Sequence, residues 1–209
     1  MAAMRIRYLA LGDSYTIGTG ASRESRNFPS RLATTLEEVT GVRVELRNPA
    51  VDGYTTNDLI RAELPELEPF EPDLVTVLIG VNDLVRGSDE ASYRLRLREI
   101  YERVGRLKLP SGRVVAISIP DFSVGPAATN FGSPPELRKR VDAFNRVARE
   151  EAGTHGFDYV DVTELSRSGA GRAGWIADDG LHPGDGQYEA WSHYIWQQVA
   201  ERWTVQTAG

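Results

Sequence analysis

Five short runs of apolar, often β-branched residues recur along the chain, and between them apolar residues return at helical spacing. The runs are Ile6 to Leu11, Val42 to Leu46, Leu74 to Ile79, Val114 to Ile119 and Phe157 to Val160. The helical stripes are Phe28-Leu32-Leu36-Val39, Leu59-Ile60-Leu64, Tyr93-Leu97-Ile100-Val104-Leu107, Leu137-Val141-Phe144-Ala148 and Tyr188-Trp191-Ile195-Val199. Strand and helix in strict alternation leave few solutions. The simplest is a parallel sheet with helices on both faces, joined by right-handed crossovers. Leu74 to Ile79 is apolar throughout, as a central strand buried on both faces must be. Val42, Val44 and Leu46 alternate with Arg43, Glu45 and Arg47, which places that strand near a sheet edge with one wetter face.

Turn chemistry marks the joints. Pro29 suits the first turn of the first long helix, and Gly41 ends it. Thr55 or Thr56 caps the next helix. Ser133 and Glu136 have capping-box spacing, with Pro134 at the first helical position. Residues 121–132 read as a loop of small residues that can move, and Ser166 to Gly174 as a mobile surface loop. No internal repeat or interdomain linker is visible, since the prolines at 65, 69 and 72 span too little chain to separate domains. Residues 1–209 are therefore expected to form one domain.

Composition narrows the function classes. The chain has no cysteine, which excludes disulfides, thiolate chemistry and cysteine-based metal sites. Its formal net charge of −6 argues against nucleic acid as a partner. The apolar stretch after Met1 to Arg5 is too short for a secretory leader and runs straight into a turn. A soluble, cytoplasmic protein is expected, although a mature secreted form would look the same. No stretch approaches membrane-spanning length. Oligomeric state is not legible.

The unusual residues gather where strands end. The first strand stops at Gly12-Asp13-Ser14, with Gly18 and Gly20 close behind. The second is followed by Asp52-Gly53, the central one by Gly80-Val81-Asn82-Asp83. Asp178-Asp179-Gly180-Leu181-His182-Pro183 precedes the last helix. In a parallel sheet such loops share one edge. A serine hydroxyl needs a base to become a nucleophile, and histidine is the usual one. Of the three histidines, His193 lies within the last helix and His155 in a helix-ending turn; both read as structural. His182 lies in a loop with acids just before it, and Asp179 can fold back to orient its ring. The Ser14 amide, Gly53 and the Asn82 side chain are candidate donors to an oxyanion. Each residue alone has an ordinary explanation: a helix cap, a turn glycine, an asparagine serving its own loop. All four together, in order and at strand ends, do not.

These four blocks resemble those of the SGNH hydrolases, also called GDSL esterases and lipases. The resemblance runs the length of the chain and is carried by Gly12-Asp13-Ser14 with Gly18, by Gly53, by Gly80-Val81-Asn82-Asp83 and by Asp179-Gly180-Leu181-His182-Pro183. It implies a three-layer α/β/α sandwich around a flavodoxin-like parallel sheet of five strands, ordered 2-1-3-4-5. It implies Ser14 as nucleophile, His182 as base and Asp179 as its acid. It also implies an oxyanion hole from Ser14, Gly53 and Asn82, with no cofactor and no metal. Tyr15 departs from the family's leucine without removing a catalytic group. The expected activity is hydrolysis of a small-molecule carboxylic ester, with short acyl chains favoured. Carbohydrate deacetylation, thioester cleavage or lysophospholipid hydrolysis are alternatives at the same site. A non-catalytic flavodoxin-like binding module is the alternative of another class. Candidate pocket walls are Tyr15, Tyr54, Asp121, Phe122, Trp175 and Ile176. Activity is expected to rise as the imidazole loses its proton and then to stay level into mild alkali.

Overall fold

The computed structural model describes residues 5–205. The reading of the N-terminus as free of a leader turns partly on residues 1–4, which lie outside the described residues. In chain order the elements are β1 (Arg5–Gly12), α1 (Ser14–Ile17), α2 (Phe28–Thr40), β2 (Arg43–Arg47), α3 (Thr56–Ala62), α4 (Leu67–Phe70), β3 (Leu74–Leu78), α5 (Val81–Val85), α6 (Glu90–Gly105), β4 (Val114–Ile117), α7 (Pro134–Thr154), β5 (Asp158–Val160), α8 (Thr163–Ser168) and α9 (Asp185–Thr204). All strand pairs are parallel and the sheet order is β2-β1-β3-β4-β5. The expected order and layering hold.

Burial follows position in the sheet. All five residues of β3 are buried between β1 and β4, whereas β2 has β1 as its one partner and its residues stay half-exposed or exposed. Helices α2 and α9 pack together on one face, and α3, α6 and α7 on the other. The chain thus changes faces after β2, and the pair β1 and β3 forms the switch point. Its strands end level, with Gly12 opposite Leu78. The crevice beyond that point is where ligands bind in open α/β sheets. Trp203 of α9 meets Tyr8 of β1 edge to face at 5.5 Å, and the Tyr8 hydroxyl pairs with Thr76 Oγ1 at 2.9 Å. The large aromatics of the last helix are therefore core, as their spacing indicated.

Local signals set the helix ends. The Asn27 side chain accepts the Ser30 amide at 2.8 Å, and Gly41 closes α2 at φ 66°. Thr55 caps α3 in a full capping box with Asp58. Three expectations need correction. Val39 is 59% exposed rather than on the buried face. It sits in the last turn of α2, at the β2 edge of the sheet, where among the described residues no further strand extends the layer to cover it. Ser133 and Glu136 do not form a capping box. The Glu136 amide takes the Ser133 carbonyl, so the hydroxyl donates to the Glu136 carboxylate instead. The stretch from Ser166 to Gly174 begins inside α8, and Ser166 is buried, its carbonyl accepting the Trp175 indole N–H at 3.0 Å.

Candidate active site

Gly12 ends β1 in a space that admits no side chain: a Cβ there would lie 2.4 Å from the Leu78 carbonyl and 2.1 Å from Thr16 Oγ1. The chain then turns into α1. Asp13 is the cap, its Oδ1 accepting the Tyr15 amide at 3.1 Å and its carbonyl accepting Thr16 and Ile17. Ser14 is the first helical residue and is 4% exposed. Among the described residues neither its amide nor its hydroxyl has a hydrogen-bond partner. Gly18, at φ 94°, closes the turn by donating to the Ser14 carbonyl. The Asn48 and Asn27 side-chain amides donate to the carbonyls of Thr16 and Ile17, so the loop is held from both sides.

The second and third blocks are tied to each other. Asn82, in the first turn of α5, donates one side-chain N–H to the Tyr54 carbonyl at 2.9 Å. Its second N–H remains available. Asp83, buried, accepts both the Thr56 amide at 2.8 Å and the Thr56 hydroxyl at 2.6 Å. Arg86 holds the Gly53 carbonyl at 2.9 Å. Gly53 itself sits at φ 80°, and its amide has no acceptor among the described residues. Gly80 is required by a close approach: a Cβ would meet the Tyr93 ring at 2.7 Å.

The fourth block is a closed turn. Asp179 Oδ1 accepts the Leu181 and His182 amides, both at 2.9 Å, and Oδ2 meets His182 Nδ1 at 2.6 Å. Partial burial would raise the Asp179 carboxyl, but the His182 ring and the two amides outweigh it and hold the group below the usual carboxylate range. With Nδ1 engaged, Nε2 is the free nitrogen, and among the described residues it has no partner. His182 keeps 16% of its side chain exposed.

Glycine and aromatic contacts join the first block to the fourth. Gly20, at φ 89°, lies so close that a Cβ would come 2.6 Å from the Pro183 carbonyl and 3.0 Å from His182 Cβ. Ser22 binds the Asp185 carboxylate through amide and hydroxyl, and the Tyr188 hydroxyl donates to the Thr19 carbonyl at 2.8 Å. The Tyr15 ring stands edge-on to the His182 ring with centroids 6.0 Å apart. The residue after Ser14 thus meets the His182 ring, and Ser14 and His182 are not hydrogen-bonded to each other. His155 and His193 are elsewhere: His155 binds the Glu151 carbonyl at the end of α7, and His193 is on the surface of α9 against Gln197.

The proposed walls divide. Tyr54 and Ile176 are half-buried, Ile176 bridging Pro183 beside the histidine. Tyr15 is almost fully enclosed by His182 and Trp191. Asp121, Phe122 and Trp175 are corrections, because all three point inward. Asp121 is paired with Arg167 at 2.6 Å and Arg138 at 3.1 Å, since a buried carboxylate needs cations more than a pocket needs an acid. Phe122 packs edge-on against Phe131. Trp175 lies over Gly169, and its carbonyl takes Gly184 and Gln187, so it is the footing of the histidine turn. Residues 121–132 also support that turn, with Ala127 donating to the Gly180 carbonyl at 3.0 Å. Reading the sequence quoted Asp83 in the third block and Thr56 as a possible cap without giving either a site role, and it missed Glu63, whose signal is an acid in step with Leu59 and Leu67 on an apolar stripe.

Among the described residues no cluster of three or more histidines or acids could hold a metal ion, and no helix is long and apolar enough to cross a membrane. A family profile described as the GDSL-like Lipase/Acylhydrolase family matches residues 10–190. A lipase from Streptomyces rimosus is 25% identical over 192 residues, covering 74% of this chain and 69% of the relative. The crystal structure of a lipase/acylhydrolase from Enterococcus faecalis superposes with a TM-score of 0.74 at 22% identity, over 94% of this chain and 96% of that one. The acetyl xylan esterase Axe2 from Geobacillus stearothermophilus, as its W215I variant, gives 0.73 at 18% identity, over 93% and 94%.

Proposed function

The chain belongs to the GDSL-like lipase/acylhydrolase family, whose members are carboxylic ester hydrolases, and from that premise we propose that it cleaves short-chain esters through Ser14, His182 and Asp179. Ser14 Oγ attacks the ester carbonyl. His182 Nε2 takes the hydroxyl proton and returns it to the leaving alcohol. Water activated by the same nitrogen then releases the acid from the acyl-enzyme. Asp179 fixes the tautomer and stabilises the imidazolium. The developing oxyanion is bound by the amides of Ser14 and Gly53 and by the second N–H of Asn82. The observation that carries this reading is the 2.6 Å contact between Asp179 Oδ2 and His182 Nδ1, in a turn packed directly against the loop that bears Ser14. Ser14 and His182 draw together when substrate binds, as catalytic hydrogen bonds commonly do.

Short acyl chains are favoured because four of the six candidate walls, Tyr15 among them, are buried, leaving Tyr54 and Ile176 as the partly exposed apolar surface near the nucleophile. An acetylated carbohydrate fits such an open site. The test is a series of p-nitrophenyl esters from acetyl to palmitoyl, run beside an acetylated xylo-oligosaccharide and an acyl thioester. The expected maximum in kcat/KM lies between acetyl and hexanoyl. A maximum at palmitoyl would contradict the open pocket.

A further inference from the structure

Three buried oxygens around Gly12 lack partners: Asp13 Oδ2, Thr16 Oγ1 and Glu63 Oε1. Glu63 follows α3, is fully buried, and spends its other oxygen on the Gly12 amide at 2.9 Å. That amide is the last donor of β1 before the turn that carries Ser14. Asp13, equally buried, spends one oxygen on the Tyr15 amide. Two buried carboxyls therefore flank one glycine. Among the described residues no arginine, lysine or histidine forms an ion pair with either. A charge buried without a counter-ion is strongly disfavoured, and two side by side are worse.

We propose that Glu63 is a positioning residue for Ser14: a neutral carboxylic acid that holds the strand-to-helix turn through the Gly12 amide, and whose ionisation beside Asp13 loosens that turn. The proposal deepens the hydrolase reading and rests on it for its catalytic half. Neutral, one Glu63 oxygen accepts the Gly12 N–H while the hydroxyl can donate toward the orphaned oxygens. Ionised, the same carboxylate faces Asp13 with no donor between them.

The surrounding groups give the charge no relief. Asp83 from α5 and Asp52 from the loop after β2 add negative charge near Asp13, and the nearby hydroxyls of Tyr93 on α6 and Tyr188 on α9 are spent on the Ile79 and Thr19 carbonyls. Tyr15 on α1 is buried near Asp13, Asp121 and Asp179. Arg96 lies near Asp83. Burial first, and then the Asp13 charge, push the Glu63 carboxyl up to about 8 against the pull of the Gly12 amide. Burial likewise pushes Asp13 up to about 8, with Asp83 and Asp52 adding to it.

The sign follows directly. The folded chain keeps a proton on Glu63 that the unfolded chain has already lost above the ordinary glutamate range. Stability from this group is complete below that range. It is lost progressively as pH rises toward about 8, where the folded group also ionises. Glu63→Gln keeps an oxygen for Gly12 and places an N–H where the orphaned Oε1 stood.

The experiment compares wild type, Glu63→Gln and Glu63→Ala in thermal melts from pH 4.5 to 8.5, and in kcat/KM for p-nitrophenyl acetate up to pH 9.5. The melting temperature of Glu63→Gln should gain on wild type steadily as pH rises. Wild-type kcat/KM should fall above about pH 8, in place of the level alkaline profile expected from the histidine alone. Glu63→Gln should weaken that alkaline limb, leaving the part that Asp13 contributes, while Glu63→Ala should lower kcat with KM little changed. Parallel melting curves for wild type and Glu63→Gln would overturn the neutral carboxyl whatever the enzyme does. Diverging melts with an identical alkaline limb in both would overturn the positioning role. Failure of the nucleophile assignment shows separately, as ester hydrolysis that survives Ser14→Ala.

Discussion

At the residue scale the chemistry rests on which acid serves His182. Asp178 and Asp179 are adjacent in sequence, and spacing alone does not separate them. The structure does: Asp179 binds the imidazole and two amides of its own turn. Asp178 is exposed. Asp179→Asn should therefore lower kcat toward the roughly 10⁴-fold loss seen when a triad aspartate becomes asparagine. Asp178→Asn should leave steady-state kinetics near wild type. The opposite ranking would transfer the role to Asp178. The proposed roles of Ser14, Gly53 and Asn82 could be read because each is a reactive or donor-bearing residue after a strand, and that of His182 because acids stand just before it in a loop. Glu63 and Asp83 were not legible as site residues. What matters about them is burial and an unlike partner far along the chain, Gly12 for one and Thr56 for the other.

At the element scale the histidine turn is the less obvious construction. It has no strand beneath it. Its position comes from Trp175 on Gly169, from residues 125–127 against Gly180, and from Gly20 against Pro183. Gly20→Ala tests that last contact. The site has φ 89°, and the added methyl would lie 2.6 Å from the Pro183 carbonyl and 2.8 Å from Ala177 Cβ. Strain of that kind costs about 1–3 kcal/mol. A shift of the base by about 1 Å costs on the order of 10²-fold in rate. The expected result is a folded protein with a lower melting point and a kcat reduced by about 10²-fold. An unchanged kcat would mean that the two loops move independently. Helix and strand positions were readable from period and punctuation, because β3 and α9 bury whole stripes. Ser133 and Val39 were misread because a cap depends on which acceptor wins the Glu136 amide, and exposure depends on what lies beyond a sheet edge. Neither is local.

At the scale of the whole molecule the order β2-β1-β3-β4-β5 does the organising. It puts the switch point between β1 and β3, so the two loops with the strongest chemical signature open side by side. Alternating patterns imply a parallel sheet with helices on both faces; the particular order came from the resemblance of the four blocks. The central claim is that this edge presents one activated serine. A fluorophosphonate probe, followed by mass mapping of the folded protein, tests it most directly. The expected result is a single covalent adduct on Ser14, absent from Ser14→Ala. An adduct on another residue, or folded protein left unlabelled, would contradict it.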